Sequence, residues 1–220
     1  MHSYYYDKNY VLRNIAEGKH REVIGGLWEE LGKLQLDWLV GRDMQPNDFL
    51  LDIGCGSLRL GTLAVNYLAP GHYSGTDINL ELMEAGYERE ISEKSRMPPE
   101  NLLYDSDFGF RGVTEKTTYA IATSVFTHLP FNHLRRALLN MKHQFPLLKE
   151  FCFSIFLAPS GESMMSPVEQ AGGVWTHDIK DPYHYLPSDI NYVCELAGFD
   201  SHIHDWGHPR NQMMVVATPR

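Results

Sequence analysis

The chain is poor in cysteine, in basic residues and in long apolar runs, and each shortage excludes a class of protein. Only three of its 220 residues are cysteine. Cys55, Cys152 and Cys194 stand far apart and are odd in number, which argues against a disulfide framework and fits a reducing compartment. No pair has the close spacing of a zinc site, so no metal is expected. Lys and Arg number 19 against 28 acidic residues, a formal net charge of −9. Nucleic-acid binding rests on neutralising phosphates, and no basic run is present to do so. A small molecule or a basic protein segment is the expected partner. No apolar stretch approaches the roughly 20 residues of a bilayer-spanning helix, so no membrane association is expected. The longest, Phe151 to Ala158, is strand-sized. Residues 1–10 are polar and Tyr-rich and lack the basic-then-apolar order of a secretory signal. These features predict a cytoplasmic protein. Internal repeats and low-complexity tracts are also missing, and nothing signals an oligomeric state.

What is present is an ordinary apolar content, 43% hydrophobic residues, enough for a full core in one domain. Val23, Ile24, Leu27, Trp28, Leu31, Leu34 and Trp38 recur at helical spacing, predicting one amphipathic helix from Glu22 to Val40. Pro46-Asn47-Asp48 ends it. Strands are then expected at Phe49–Ile53, Tyr73–Ile78, Asn101–Tyr104, Tyr119–Val125 and Phe151–Leu157. Helices are expected at about Leu58–Leu68, from an Asn79 cap to about Ser95, and from Pro130 to about His143. This alternation predicts an α/β, Rossmann-like, doubly wound fold with a mostly parallel, seven-stranded sheet. Residues 1–45 form an N-terminal helical cap, 46–157 the binding core and 158–186 an insertion or lid. Residues 187–220 supply a helix capped by Ser188 and a terminal antiparallel hairpin turning at Gly207-His208-Pro209.

The chemistry concentrates at Leu50-Leu51-Asp52-Ile53-Gly54-Cys55-Gly56. Two glycines where a strand hands over to a helix let the chain turn tightly and let a ligand approach the backbone. The helix N-terminus behind them favours an anionic group. Asp52 is placed to accept a hydrogen bond from an ammonium. A dinucleotide site usually reads G-x-G-x-x-G. Here Ser57-Leu58-Arg59-Leu60 follows Gly56, and the next glycine is Gly61. Asp77 ends the second strand at the distance expected of a ribose-binding acid. Together these features predict a nucleoside site.

As an ordered set, these segments resemble class I S-adenosylmethionine-dependent methyltransferases. Asp52 to Gly56 is similar to their first motif, and Gly75-Thr76-Asp77-Ile78 to their ribose-binding motif. Asp105-Ser106-Asp107-Phe108 resembles the acidic loop that contacts the adenine. Ala122 to Leu129 resembles the segment lying under the methionine part. The resemblance spans roughly Phe49 to Leu157. It implies S-adenosylmethionine as cofactor, S-adenosylhomocysteine as product, and contacts from Asp52, Gly54, Cys55, Gly56, Arg59, Asp77, Ile78, Asn79, Asp105 or Asp107, Phe108 and Ser124. Arg59 departs from the smaller or uncharged residues of many members, and is placed to pair with the cofactor carboxylate or a substrate anion. His20-Arg21-Glu22-Val23-Ile24-Gly25-Gly26 together with Asp205-Trp206-Gly207-His208-Pro209-Arg210 resembles a group of bacterial enzymes acting on small molecules or glycans.

Methyl transfer from a sulfonium needs alignment above all, worth up to ~7–11 kcal/mol. A general base adds about 10²–10⁴-fold. His128, after the fourth strand, and His20, before the amphipathic helix, are the candidate bases; both also have purely structural readings. Tyr4, Tyr5, Tyr6 and Tyr10 are read as an aromatic lid or a loosely packed start. Trp175, Tyr183 and Tyr185 are candidates for an acceptor pocket. His202 and His204 share one strand face. The expected reaction is O-methylation of a small molecule. The alternatives are N-methylation of a small amine or basic protein segment, a nicotinamide-dependent oxidoreductase, and a non-catalytic cofactor-binding module.

Overall fold

A computed structural model describes residues 4–220, with side chains from Tyr5 onward. The N-terminal part contains α1 (Lys8–Ala16), α2 (His20–Val23) and α3 (Trp28–Gly41). The core follows as β1 (Leu50–Ile53), α4 (Gly61–Tyr67), β2 (Tyr73–Asp77), α5 (Leu80–Glu90), β3 (Leu102–Tyr104), β4 (Tyr119–Ala122), α6 (Phe131–Gln144) and β5 (Glu150–Leu157). The insertion carries β6 (Val168–Gln170), β7 (Val174–Thr176) and β8 (His184–Tyr185). The chain ends with α7 (Pro187–Leu196), β9 (Phe199–Asp205) and β10 (Met213–Pro219). The main sheet runs β3-β2-β1-β4-β5-β10-β9, with the short β8 added beside β5. The first five strands are parallel, and β10 pairs antiparallel with both β5 and β9. The seven-stranded expectation holds for the main path; β8 makes an eighth.

Strand burial explains why the sheet is covered on both sides. Leu51, Ile53, Ala120, Ala122, Phe151 and Phe153 pack with Leu134, Leu138 and Met141 of α6 and Ile190 and Val193 of α7. Leu50, Tyr119, Ile121 and Cys152 point the other way, onto Leu39, Met44, Leu58 and Val65. Side chains alternate across a strand, so two apolar faces require near-continuous apolar runs. Strand order reverses around β1, with β2 on one side and β4 on the other, which opens a crevice at the carboxyl ends of these strands.

Four local expectations are corrected. The single helix over Glu22–Val40 is two, because Gly25 (φ 86°), Gly26 (φ 64°) and Leu27 (φ 51°) are left-handed. The helix expected from Leu58 starts at Gly61, because residues 54–60 loop and Leu58 itself sits at φ 69°. Asn79 precedes α5, but its side chain makes no cap; Nδ2 donates instead to the Tyr5 carbonyl at 2.8 Å, and α5 stops at Glu90. Ser188 lies inside α7 behind Pro187, and Asp189 Oδ2 accepts from the Leu186 N–H at 2.9 Å instead.

The glycine loop is wedged against α5. A Cβ on Gly86 would stand 2.3 Å from the Ser57 carbonyl oxygen, a backbone atom that cannot rotate away. Overpacking costs about 1–3 kcal/mol and occasionally more. Gly86→Ala is therefore expected to lower stability by about 3 kcal/mol in urea unfolding. An unchanged midpoint would show that α5 does not seat this closely on the loop.

Candidate functional site

The crevice at the carboxyl ends of β1, β2 and β4 opens into a cavity of about 870 Å³. Ligand pockets run to ~300–1,000 Å³, so this one has room for a nucleotide-sized molecule and a second, small one. Asp52, Gly54, Cys55, Arg59, Asp77, Ile78, Asn79, Asp105, Phe108, Ser124 and His128 all line it. Residues from four separate segments are thus brought to one space. His20, Gly56 and Asp107 do not line it, and neither do Trp175, Tyr183 and Tyr185.

The backbone near Gly54 and Gly56 has no space for side chains. A Cβ on Gly54 would come within 2.5 Å of Val125, and one on Gly56 within 2.6 Å of Ile24. Both residues also hold positive φ, 67° and 55°. Cys55 between them is buried against Gly75, and burial pushes its thiol well above the ordinary range. It is packing, not a nucleophile.

Two carboxylates stand at the strand ends. Asp77 is buried and holds three donors: Oδ2 accepts from the Gly56 N–H and the Tyr5 hydroxyl, both at 2.8 Å, and Oδ1 from the Asn79 N–H at 2.8 Å. Burial raises its pKa, and these hydrogen bonds oppose the rise. Asp52 accepts from the Tyr73 hydroxyl at 2.7 Å. Burial pushes its carboxyl up to about 7, against the Tyr73 hydrogen bond and the Arg59 charge.

The acidic loop is organised by one of its two acids. Asp105 Oδ1 accepts from the N–H groups of Asp107 and Gly109, and Oδ2 from that of Phe110. Asp107 faces outward to Arg111 and Arg136, and the Arg111 hydrogen bond lowers its pKa. Asn140 of α6 pins the loop by donating to the Phe108 carbonyl at 2.8 Å. Phe108 is left-handed (φ 56°) and presents its ring to the cavity beside Phe126.

Ser124 is also left-handed (φ 60°), strain that an ordinary strand end would avoid. Its N–H donates to Ser154 Oγ at 2.7 Å, and its Oγ to Gln212 Oε1 at 3.0 Å. His128 Nδ1 lies 2.5 Å from Asp181 Oδ1 in the insertion. His133 and Pro182 also line the cavity. The N-terminal segment closes another side with Tyr5, Tyr6 and Tyr10; the Tyr4 side chain lies outside the described residues.

His20 is a correction. It is 6% exposed, with Nε2 at 2.6 Å from Glu90 Oε1. Arg21 grips the same carboxylate through two bonds, at 2.8 and 2.6 Å. This cluster ties α2 to α5 and leaves His20 no access to the cavity. Trp175 is exposed on β7, and the Tyr185 hydroxyl is spent on the Phe126 and Leu129 carbonyls, so Val174 and Pro182 serve the wall in their place. His204 packs against Trp38 at 5.6 Å between ring centroids. The sequence reading missed Tyr5 as a partner of Asp77, and Asp181 as a partner of His128. Only the Tyr cluster at the start and the acid beside Pro182 hinted at them.

No protein-family model matches the chain. Among solved structures, it is similar to magnesium protoporphyrin IX methyltransferase from Synechocystis PCC 6803 with bound SAH. The TM-score is 0.61 at 14% identity, over 88% of this chain and 86% of that one. It is similar to human N-acetylserotonin methyltransferase in complex with SAM, with TM-score 0.66 at 15% identity, over 96% of this chain and 58% of that one. It is also similar to the glycopeptide N-methyltransferase MtfA, with TM-score 0.61 at 12% identity, over 86% of this chain and 90% of that one. The chain has the Rossmann-like fold of class I S-adenosylmethionine-dependent methyltransferases.

Proposed function

We propose that the chain is an S-adenosylmethionine-dependent methyltransferase acting on the hydroxyl of a small molecule. The observation that carries this reading is the convergence of Asp52, Asp77 and the Gly54–Cys55 backbone on one cavity that His128 also lines. The donor set fits the cofactor. Asp77 suits a ribose diol, Asp52 an ammonium, Arg59 a carboxylate, and Phe108 with the backbone of the Asp105 loop an adenine ring. Bound there, the cofactor supplies a methyl group on a positively charged sulfur, a donor that is already activated.

The remaining chemistry belongs to the chain's own groups. Tyr5, Tyr6 and Tyr10 cover the site and limit water. Asp181 holds Nδ1 of His128, which leaves Nε2 as the acceptor of a proton. His128 Nε2 takes the proton of the acceptor hydroxyl as its oxygen is methylated. An amine acceptor already unprotonated would not use such a base, so the His128–Asp181 pair supports the oxygen reading. Isothermal titration with S-adenosylhomocysteine tests the cofactor assignment: affinity in the micromolar range is expected, and no binding at millimolar ligand sinks it. Release of S-adenosylhomocysteine with a panel of hydroxylated and amine acceptors tests the reaction.

Asp52 predicts a pH dependence. Its folded pKa of about 7 lies above the ordinary carboxyl value near ~3.9, so the free protein holds a proton there below pH 7. The stability linked to this group is full below about pH 4 and is lost as pH rises through about 7. An ammonium partner requires the carboxylate, so binding must release that proton. S-adenosylhomocysteine affinity is expected to rise between about pH 5 and 7, with a slope approaching one decade per pH unit, and then level off. The Asp52→Asn protein should lose the slope. A flat profile in the parent protein removes Asp52 from the ammonium contact.

A further inference from the structure

The C-terminal hairpin brings to the cavity a second cation that the glycine loop does not require. Arg210 lies in the turn between β9 and β10, and its Nη2 donates to the Gly25 carbonyl at 3.0 Å. Arg59 Nη1 donates to the Gly26 carbonyl at 2.9 Å and to that of Ile24 at 3.4 Å. Two guanidinium groups therefore clasp three successive carbonyls of one turn, and both line the cavity. Neither forms an ion pair among the described residues.

Arg59 is 7% exposed, and its Nε has no hydrogen-bond partner. A buried charge costs several kcal/mol unless it is paired and its donors are met. Neutral carbonyls meet only part of a guanidinium's five donors. Burial lowers the Arg59 pKa to about 10, with Asp52 opposing the shift and Arg210 adding to it. His208 holds the Arg210 backbone N–H at 3.1 Å on Nδ1, and burial keeps its pKa down near 4. The histidine is thus a neutral brace for the turn and adds no third charge. The result is two positive charges at one end of a cavity in a chain of net charge −9.

Charge counting then separates donor from acceptor. One carboxylate on the cofactor neutralises one guanidinium, and Arg59, next to the glycine loop, is the nearer. The charge on Arg210 remains. We propose that Arg59 and Arg210 form an anion site, and that Arg210 uses it to hold a carboxylate or phosphate group on the methyl acceptor. The planar fork of each guanidinium suits the paired oxygens of such groups. This inference rests on the methyltransferase reading of the same cavity, and it narrows the acceptor to a small anionic molecule.

The test is isothermal titration of the full chain, first saturated with S-adenosylhomocysteine, with inorganic phosphate and separately with benzoate at low ionic strength. Both probes are expected to bind the saturated protein. In Arg210→Gln their affinity should fall about tenfold, while S-adenosylhomocysteine affinity stays within about threefold. Arg210 sits half-buried on a hairpin turn, so this variant is the one to rely on; the buried Arg59→Gln should weaken probe and cofactor together. Three results overturn the proposal: no probe binding to the saturated protein, probe binding that S-adenosylhomocysteine abolishes, and probe binding unchanged in Arg210→Gln. The second would assign both arginines to the cofactor carboxylate. If S-adenosylhomocysteine itself fails to bind, the cofactor reading falls separately, and phosphate or benzoate titrated into the free chain still scores the arginine pair.

Discussion

Replacing Asp77 with alanine is expected to weaken S-adenosylhomocysteine binding by at least about 100-fold. A hydrogen bond to a charged group contributes about 1.5–3 kcal/mol, and a ribose diol makes two of them to one carboxylate. Together they amount to ~3–6 kcal/mol, or roughly 10²–10⁴ in affinity. Titration calorimetry reads the change directly. An affinity within fivefold of the parent would remove Asp77 from the ribose site and with it the placement of the nucleoside. The variant also frees the Gly56 and Asn79 N–H groups that now bond to the carboxylate, so part of its effect acts through the loop. Asp77→Asn keeps the shape and one acceptor, and should fall between the two.

Tyr5 makes the same carboxylate contested. A carboxylate offers about four acceptor positions, and three on Asp77 are taken: by Gly56, Asn79 and the Tyr5 hydroxyl. A diol needs two. The Tyr5 hydroxyl must therefore give up its bond when the ribose arrives. Tyr5→Phe is expected to tighten S-adenosylhomocysteine binding by about threefold to tenfold, the worth of one such bond after its exchange with the ligand. Weaker binding would mean instead that the hydroxyl stays to hold the ligand.

The fold was legible because its signals are local. Strands such as β4 and β5 are buried on both faces, and burial on both faces writes an unbroken apolar run into the chain. The glycine loop was legible for a similar reason, since Gly54 and Gly56 stand where no Cβ fits. The helix over Glu22–Val40 failed on a conflict between two local signals. Its apolar residues keep helical spacing across Gly25 and Gly26, yet the two glycines and Leu27 turn left-handed. Periodicity alone argues for one helix, and the backbone follows the glycines instead. The site's side-chain partners lay beyond any local signal. Glu90 captures His20 from 70 residues away, and Gly25 meets Arg210 from 185 away. Two histidines with similar sequence credentials were thus separated by a distant carboxylate. Glu90 buries one in a structural cluster, and Asp181 leaves the other at the cavity.

That separation sets the second large expectation. His128→Ala should lower kcat by about 10²–10⁴-fold, the range for a positioned general base, while S-adenosylhomocysteine affinity stays near the parent value. The split matters because His128 is held by Asp181 of the insertion, whereas Asp77 is bonded to the glycine loop and Tyr5. A loss confined to cofactor affinity would show a wall residue rather than a base. Asp181→Asn asks for less and is more discriminating. The amide keeps the size of the carboxylate but can turn its NH₂ toward Nδ1, which favours the tautomer with the proton on Nε2. A base so disposed cannot accept at Nε2, so kcat should fall nearly as far as in His128→Ala although His128 is still present. The double variant should then be no worse than His128→Ala alone, because residues acting as a unit do not contribute additively. Acceptors with an unprotonated amine supply the control: they need no base, and both variants should methylate them at close to the parent rate. Equal losses on hydroxyl and amine acceptors would show that the pair positions the acceptor without moving its proton.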